Sequence, residues 1–120
     1  MTKPELKIDK NMTYYFVGIK GTGMSAMALV VKDMGCTVEG SDIEKYTFTQ
    51  KGLEDAGIKV FTFNPNNIKK GMTLIVGNAF EDSQPEVVRA KELGLPIFRY
   101  PEFLGELIKG FTSIAVCGAH

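Results

Sequence analysis

The feature that most constrains this chain is a glycine-rich loop placed between an apolar run and an amphipathic one. Tyr14-Tyr15-Phe16-Val17-Gly18-Ile19 is a continuous stretch of aromatic and β-branched residues, suited to a strand buried on both faces. Gly18-Ile19-Lys20-Gly21-Thr22-Gly23-Met24-Ser25 follows it. Residues from about Met24 to Met34 then carry Met27, Val30, Val31 and Met34 at helical spacing, with Leu29 widening the face and Gly35 as the predicted stop. A Gly21-x-Gly23-x-x-Ala26 pattern that leaves a strand and opens a helix is the context in which such a loop binds phosphate. On this reading Gly21 allows the tight turn, Gly23 admits a diphosphate close to the backbone, and Ala26 lets helix and sheet pack closely. The helix start offers free N–H groups and a positive dipole end. Thr22 and Ser25 add hydroxyls, and Lys20 adds a charge.

The rest of the chain repeats the alternation. Cys36–Gly40 reads as a second strand ending at Ser41-Asp42, and Thr49–Ala56 as a helix stopped by Gly57. Ile58–Phe61 is a third strand, Asn64–Asn67 a turn, and Met72–Val76 a fourth strand closing at Gly77-Asn78-Ala79. A helix follows from Pro85 to Leu93, stopped by Gly94, then a strand at Pro96–Phe98, a helix at Phe103–Ile108 and a sixth strand at Ser113–Cys117. Short apolar strands joined by helical crossovers predict an α/β, Rossmann-like parallel sheet covered by helices on both faces. The predicted organisation is a lead-in over 1–12, a nucleotide-binding domain over 13–111, and over 112–120 a last strand that starts a second domain.

Composition narrows the partners. The 14 Lys plus Arg balance the 14 Asp plus Glu. That argues against duplex DNA or an anionic membrane, both held by bulk charge. No apolar run nears the roughly 20 residues that span a bilayer, and the N-terminus lacks a signal-peptide core, so the expected location is cytoplasmic. Cys36 and Cys117 are far apart and read as reduced, buried thiols. With one histidine, His120, and no partner ligands, no metal site is expected. No Ser/His/Asp or Cys/His set offers nucleophilic catalysis.

Asp42 lies about 20 residues past the loop, where an acidic side chain receives ribose hydroxyls in dinucleotide folds; a helix cap or turn is its plainer role. Asn78 ends the fourth strand at the predicted crevice and could meet a phosphate or a base edge, or simply form a turn. Ser41, Lys45, Thr49 and Ala79 are further candidates for the same crevice, Thr49 equally for a helix cap.

Four segments together resemble a known family. Phe16–Ser25, Gly40–Lys45, Gly77–Phe80 and Ala115–His120 look like the N-terminal region of the Mur ligases that join L-alanine to UDP-N-acetylmuramic acid. The loop and Tyr100–Gly105 look most like Gram-positive versions. The resemblance implies a three-domain, ATP- and Mg2+-dependent ligase of peptidoglycan biosynthesis, whose N-terminal domain binds the UDP part of the substrate. The central domain would bind ATP, and the C-terminal domain would help bind L-alanine. It implies that the loop Gly21, Thr22, Gly23, Met24 and Ser25 holds the diphosphate, with Gly18 and Lys20 also in the UDP site, that Asp42 serves the ribose or uracil side, and that Asn78 lies nearby. Gly118-Ala119-His120 resembles the start of the ATP loop without the Gly-Lys-Thr that should follow. The expectation is therefore nucleotide binding, with no catalytic residue and no cofactor within these residues. The rival readings are an NAD-binding domain of a dehydrogenase or sensor, and an interaction domain that keeps the fold without the ligand.

Overall fold

The computed structural model describes residues 8–118, with side chains for 8–109. The elements are β1 (Thr13–Val17), α1 (Thr22–Asp33), β2 (Thr37–Asp42), α2 (Phe48–Asp55), β3 (Lys59–Thr62), a 3-10 turn (Pro65–Asn67), β4 (Met72–Val76), α3 (Pro85–Glu92), β5 (Ile97–Arg99) and α4 (Tyr100–Gly118). All strand pairs are parallel, in the order β3-β2-β1-β4-β5. The chain starts at β1, winds outward to β3, then returns to lay β4 on the other side of β1. The carboxyl ends of β1 and β4 therefore flank the point where strand order reverses, the crevice where open α/β sheets bind ligands.

The two-residue period of the strands builds a core on each face. Tyr14, Phe16 and Ile75 point to one side, where Met24, Met27, Ala28 and Val31 of α1, Leu53 of α2 and Phe103 and Leu107 of α4 cover them. Tyr15, Val17, Leu74 and Val76 point to the other, against Ile68 and the α3 residues Val87 and Ala90. Phe103 anchors α4, its ring centroid 6.1 Å from Tyr14, 6.2 Å from Phe16 and 5.7 Å from Phe98. Cys36, just ahead of β2, is a buried free thiol. Gly35, Gly57 and Gly94, the predicted helix stops, all take left-handed conformations with φ between +70° and +95°.

Several expectations are corrected. The buried stripe of α1 begins one turn earlier than predicted, at Met24, so Leu29 and Val30 lie exposed. Ala26 is exposed as well; Ala28 is the small residue that brings α1 close to the sheet. The sixth strand over Ser113–Cys117 is helix, because α4 runs through to Gly118. Phe103, Leu104, Leu107, Ile108, Phe111, Ile114 and Ala115 keep a spacing of three and four, and a short apolar run within such a pattern serves either structure. The predicted boundary at 111/112 falls inside that helix. Of the lead-in, Ile8 and Met12 pack on the core and residues 9–12 form a turn closed by Met12 N–H to Asp9 O at 3.1 Å. Residues 1–7, Ala119 and His120 lie outside the described residues.

Candidate nucleotide site

The loop is assembled on the end of β2. Gly18 turns the chain with φ +87°, and a Cβ there would strike the ring of Phe80. The Gly18 and Ile19 amides both donate to the Ser41 carbonyl, at 2.8 and 3.1 Å. Gly21 caps α1 in an extended conformation, and the first bond inside the helix is Ser25 N–H to Gly21 O at 2.7 Å. The amides of Thr22, Gly23 and Met24 precede that bond and have no helical partner. No side chain caps them, and the first turn holds no acidic residue. Gly21, Thr22 and Gly23 are exposed. Gly77 N–H donates to Val17 O at 3.0 Å, so the end of β4 is tied beside this opening. The result is a bare helix N-terminus at the crevice, able to receive an anion on backbone N–H groups and the helix dipole.

Individual side chains behave less as the sequence suggests. The tight-turn glycine is Gly18, since Gly21 has φ −59° and a Cβ there would meet nothing nearer than 3.5 Å. Gly23 has a local reason to lack a Cβ: such an atom would lie 2.6 Å from the Tyr100 hydroxyl. The Ser25 hydroxyl donates to Thr22 O at 3.0 Å, within its own helix turn. The Ser41 side chain is fully buried and turned away from the crevice. Lys20 is also buried, its ammonium held by the carbonyls of Ile43 and Lys45 at 2.7 Å each. Asp42 accepts the Lys20 amide on Oδ2 and the Ile43 amide on Oδ1, both at 2.8 Å. Thr49 donates to Lys20 O at 2.7 Å, while Thr47 occupies the cap position of α2. Lys45, Asn78 and Ala79 are exposed. The structure thus gathers the loop, Asp42, Lys45 and Thr49 into one bonded unit and sets Asn78 and Ala79 in the turn that follows β4.

Two residues the sequence reading passed over complete the frame. Glu86, on α3, is a fully buried carboxylate. It accepts from Tyr15 Oη and Ser41 Oγ at 2.5 Å each, and from Asn64 N and Asn67 Nδ2 at 3.3 Å each. Burial and the adjacent carboxylate push the Tyr15 phenol well above its usual range. Through Ser41, whose carbonyl carries Gly18 and Ile19, this junction backs the loop. Arg99, at the end of β5, donates to the Phe80 carbonyl and to Asp82 at 2.6 Å. Its hydrogen bond, with Lys91 nearby, holds the Asp82 carboxyl below the usual range. A Gln-Pro-Glu helix start was the available hint for Glu86, but its partners lie 45 and 71 residues away. Beside Gly23, an apolar groove of about 220 Å³ runs between α1 and α4, lined by Ala26, Val30, Tyr100, Leu104 and Ile108 among others. Among the described residues, no three His, Cys, Asp or Glu side chains cluster to hold a metal, and no helix is long and apolar enough to cross a membrane.

Comparison with known proteins adds to this geometry. The profile described as Mur ligase family, catalytic domain, matches residues 13–112. UDP-N-acetylmuramate–L-alanine ligase of Lactiplantibacillus plantarum is 60% identical over 113 residues, covering 94% of this chain and 26% of the relative. The same enzyme of Lacticaseibacillus casei is 66% identical over 108 residues, covering 90% and 25%. The chain thus spans about a quarter of the length of the curated relatives it matches. Among solved structures, UDP-N-acetylmuramate–alanine ligase of Thermotoga maritima superimposes with a TM-score of 0.76 at 35% identity, over 82% of this chain and 23% of that one. A UDP-N-acetylmuramate:L-alanyl-γ-D-glutamyl-meso-diaminopimelate ligase from Neisseria meningitides follows at 0.71 and 30%, over 79% and 30%.

Proposed function

Since this chain belongs to the Mur ligase family, we propose that it is the substrate-handling part of a UDP-N-acetylmuramate–L-alanine ligase, the region that grips the UDP moiety. The observation that carries the reading is the bare N-terminus of α1, open at the point where strand order reverses. On this reading the amides of Thr22, Gly23 and Met24 receive the diphosphate, with the Thr22 hydroxyl beside them. Gly21 leaves the approach unobstructed. Asp42 and the segment after it face the ribose and uracil, and Asn78 and Ala79 border the crevice from β4. The lining is backbone amides with the carboxylate of Asp42 already accepting two backbone N–H groups, an arrangement that binds and orients a UDP-sugar but offers no group to activate its carboxyl. ATP and Mg2+, which would supply that activation, belong on this proposal to central and C-terminal domains of a longer cytoplasmic enzyme that makes peptidoglycan precursor.

Calorimetric titration of the 120-residue chain with UDP-N-acetylmuramic acid, UDP and NAD tests the proposal. The expected result is binding of both uridine ligands, with NAD weaker by at least tenfold. Tighter binding of NAD would overturn it in favour of a dinucleotide domain. A folded chain that binds none of the three would favour an interaction module.

A further inference from the structure

We propose that Lys20, although it sits in the glycine-rich loop, is a positioning residue for the segment from Asp42 to Thr49 and not a ligand of the anion. The proposal rests on the nucleotide-binding reading only for its consequence in affinity; the positioning itself is a property of the ligand-free chain.

Each polar group of Lys20 is directed to that segment. Its amide donates to Asp42 Oδ2 at 2.8 Å, and its carbonyl accepts from Thr49 Oγ1 at 2.7 Å. Its ammonium donates to Ile43 O and Lys45 O at 2.7 Å each. The residue is only 8% exposed, although a lysine in a loop ordinarily keeps its charge in water. Bonds from a cation to two carbonyls are the stronger, charge-assisted kind, and they fix both ends of a turn that has no strand or helix bonds of its own. The turn needs such a fixture. Ile43 and Tyr46 of the turn are 54% and 59% exposed and Phe48, the first residue of α2, is 83% exposed, three large apolar side chains held out in water beside the loop. A turn of that composition would gain by collapsing its apolar groups onto the sheet unless its backbone were anchored. Apolar side chains next to bare amides suit a ligand with a planar ring at one end and phosphate at the other. Lys20 therefore acts on the nucleoside half of the site through the backbone of 43–45, while the phosphate half is left to the α1 amides.

The two roles separate in one set of variants. Wild type, Lys20→Met and Lys20→Arg are titrated with UDP and with UMP, which differ by one phosphate, and the amide signals of residues 42–49 are followed by NMR without ligand. A positioning role predicts that Lys20→Met weakens UDP and UMP by the same factor, roughly tenfold, the worth of about 1.4 kcal/mol. It leaves the salt dependence of UDP binding unchanged and shifts or broadens the 42–49 amides in the free protein. Lys20→Arg keeps the charge but replaces a compact ammonium with a flat fork, so it should weaken UDP nearly as much. A loss confined to UDP, rescued by Arg and accompanied by a flatter salt dependence, would overturn the proposal in favour of a direct anion ligand. Unchanged amide signals in Lys20→Met would overturn it as well. Should wild type bind neither nucleotide, the nucleotide reading fails, and the free-protein amide shifts still decide the positioning role.

Discussion

Helices α1 and α3 begin at the same end of the sheet, after the two strands that flank the strand-order reversal, yet their first turns are opposites. α1 starts at Gly21 with no side-chain cap and no acidic residue. α3 starts at Gln84, whose side chain accepts from Glu86 N at 2.6 Å and Val87 N at 3.2 Å. Pro85 removes one further donor, and Glu86 places a carboxylate in the first turn. One helix start is saturated from within the chain, the other is left for something outside it. Glycine at the cap position of α1 costs only a few tenths of a kcal/mol relative to a side-chain cap. Leaving α1 uncapped is thus a small local cost, and on the proposed function a bound anion restores the missing bonds. The comparison shows how a site can be specified by omission: the first turn of α1 lacks what α3 has, and on the proposed function that is why an anion is received there.

The largest effect should come from opening the closed side. Glu86→Leu leaves the Tyr15 and Ser41 hydroxyls without their buried acceptor, while the Asn67 amide keeps Thr62 O. At about 1–3 kcal/mol per orphaned group, the loss should reach about 3 kcal/mol or more in urea unfolding. Glu86→Gln, which keeps one acceptor oxygen, should lose about 1–2 kcal/mol. An unchanged midpoint for Glu86→Leu would show that the junction does not close α3. A smaller effect appears in alkali. The folded-state Tyr15 phenol titrates above its unfolded value, so its contribution to stability is complete below pH about 10 and declines as pH rises beyond it. Thermal midpoints between pH 8 and 11 should fall less steeply in Tyr15→Phe than in wild type. Tyr14, also raised by burial, keeps part of the slope. Parallel curves would contradict the assignment.

What the sequence disclosed follows the range of the interactions. β4 is legible to the residue because a continuous apolar run is bounded by turn signals at Gly71 and Gly77. The helix stops are legible because a left-handed glycine is a property of one position. The site of the loop is legible for the same reason, since strand, glycines and helix are contiguous. The roles inside it are not. That the Lys20 ammonium lies on the carbonyls of Ile43 and Lys45, 23 and 25 residues away, cannot be read from the loop. Nor can the approach of the Tyr100 hydroxyl to Gly23, a second reason for that position to lack a Cβ. The role of Ser41 is hidden because its partner Glu86 lies 45 residues away. The helical course of α4 through Ser113–Cys117 was ambiguous for a different reason, because the same apolar residues satisfy both periods.

The most direct test makes α1 start as α3 does. Gly21 has an extended conformation that aspartate adopts readily, and its missing Cβ would meet only ordinary contacts. Gly21→Asp should therefore cap the helix and raise stability by a few tenths of a kcal/mol. It should also place a carboxylate where the diphosphate would sit and weaken UDP binding by at least tenfold. A variant that is as stable as wild type or more so, and that has lost UDP, is the predicted result. A stable Gly21→Asp chain that binds UDP as tightly as wild type would contradict the claim that the uncapped start of α1 is the anion site.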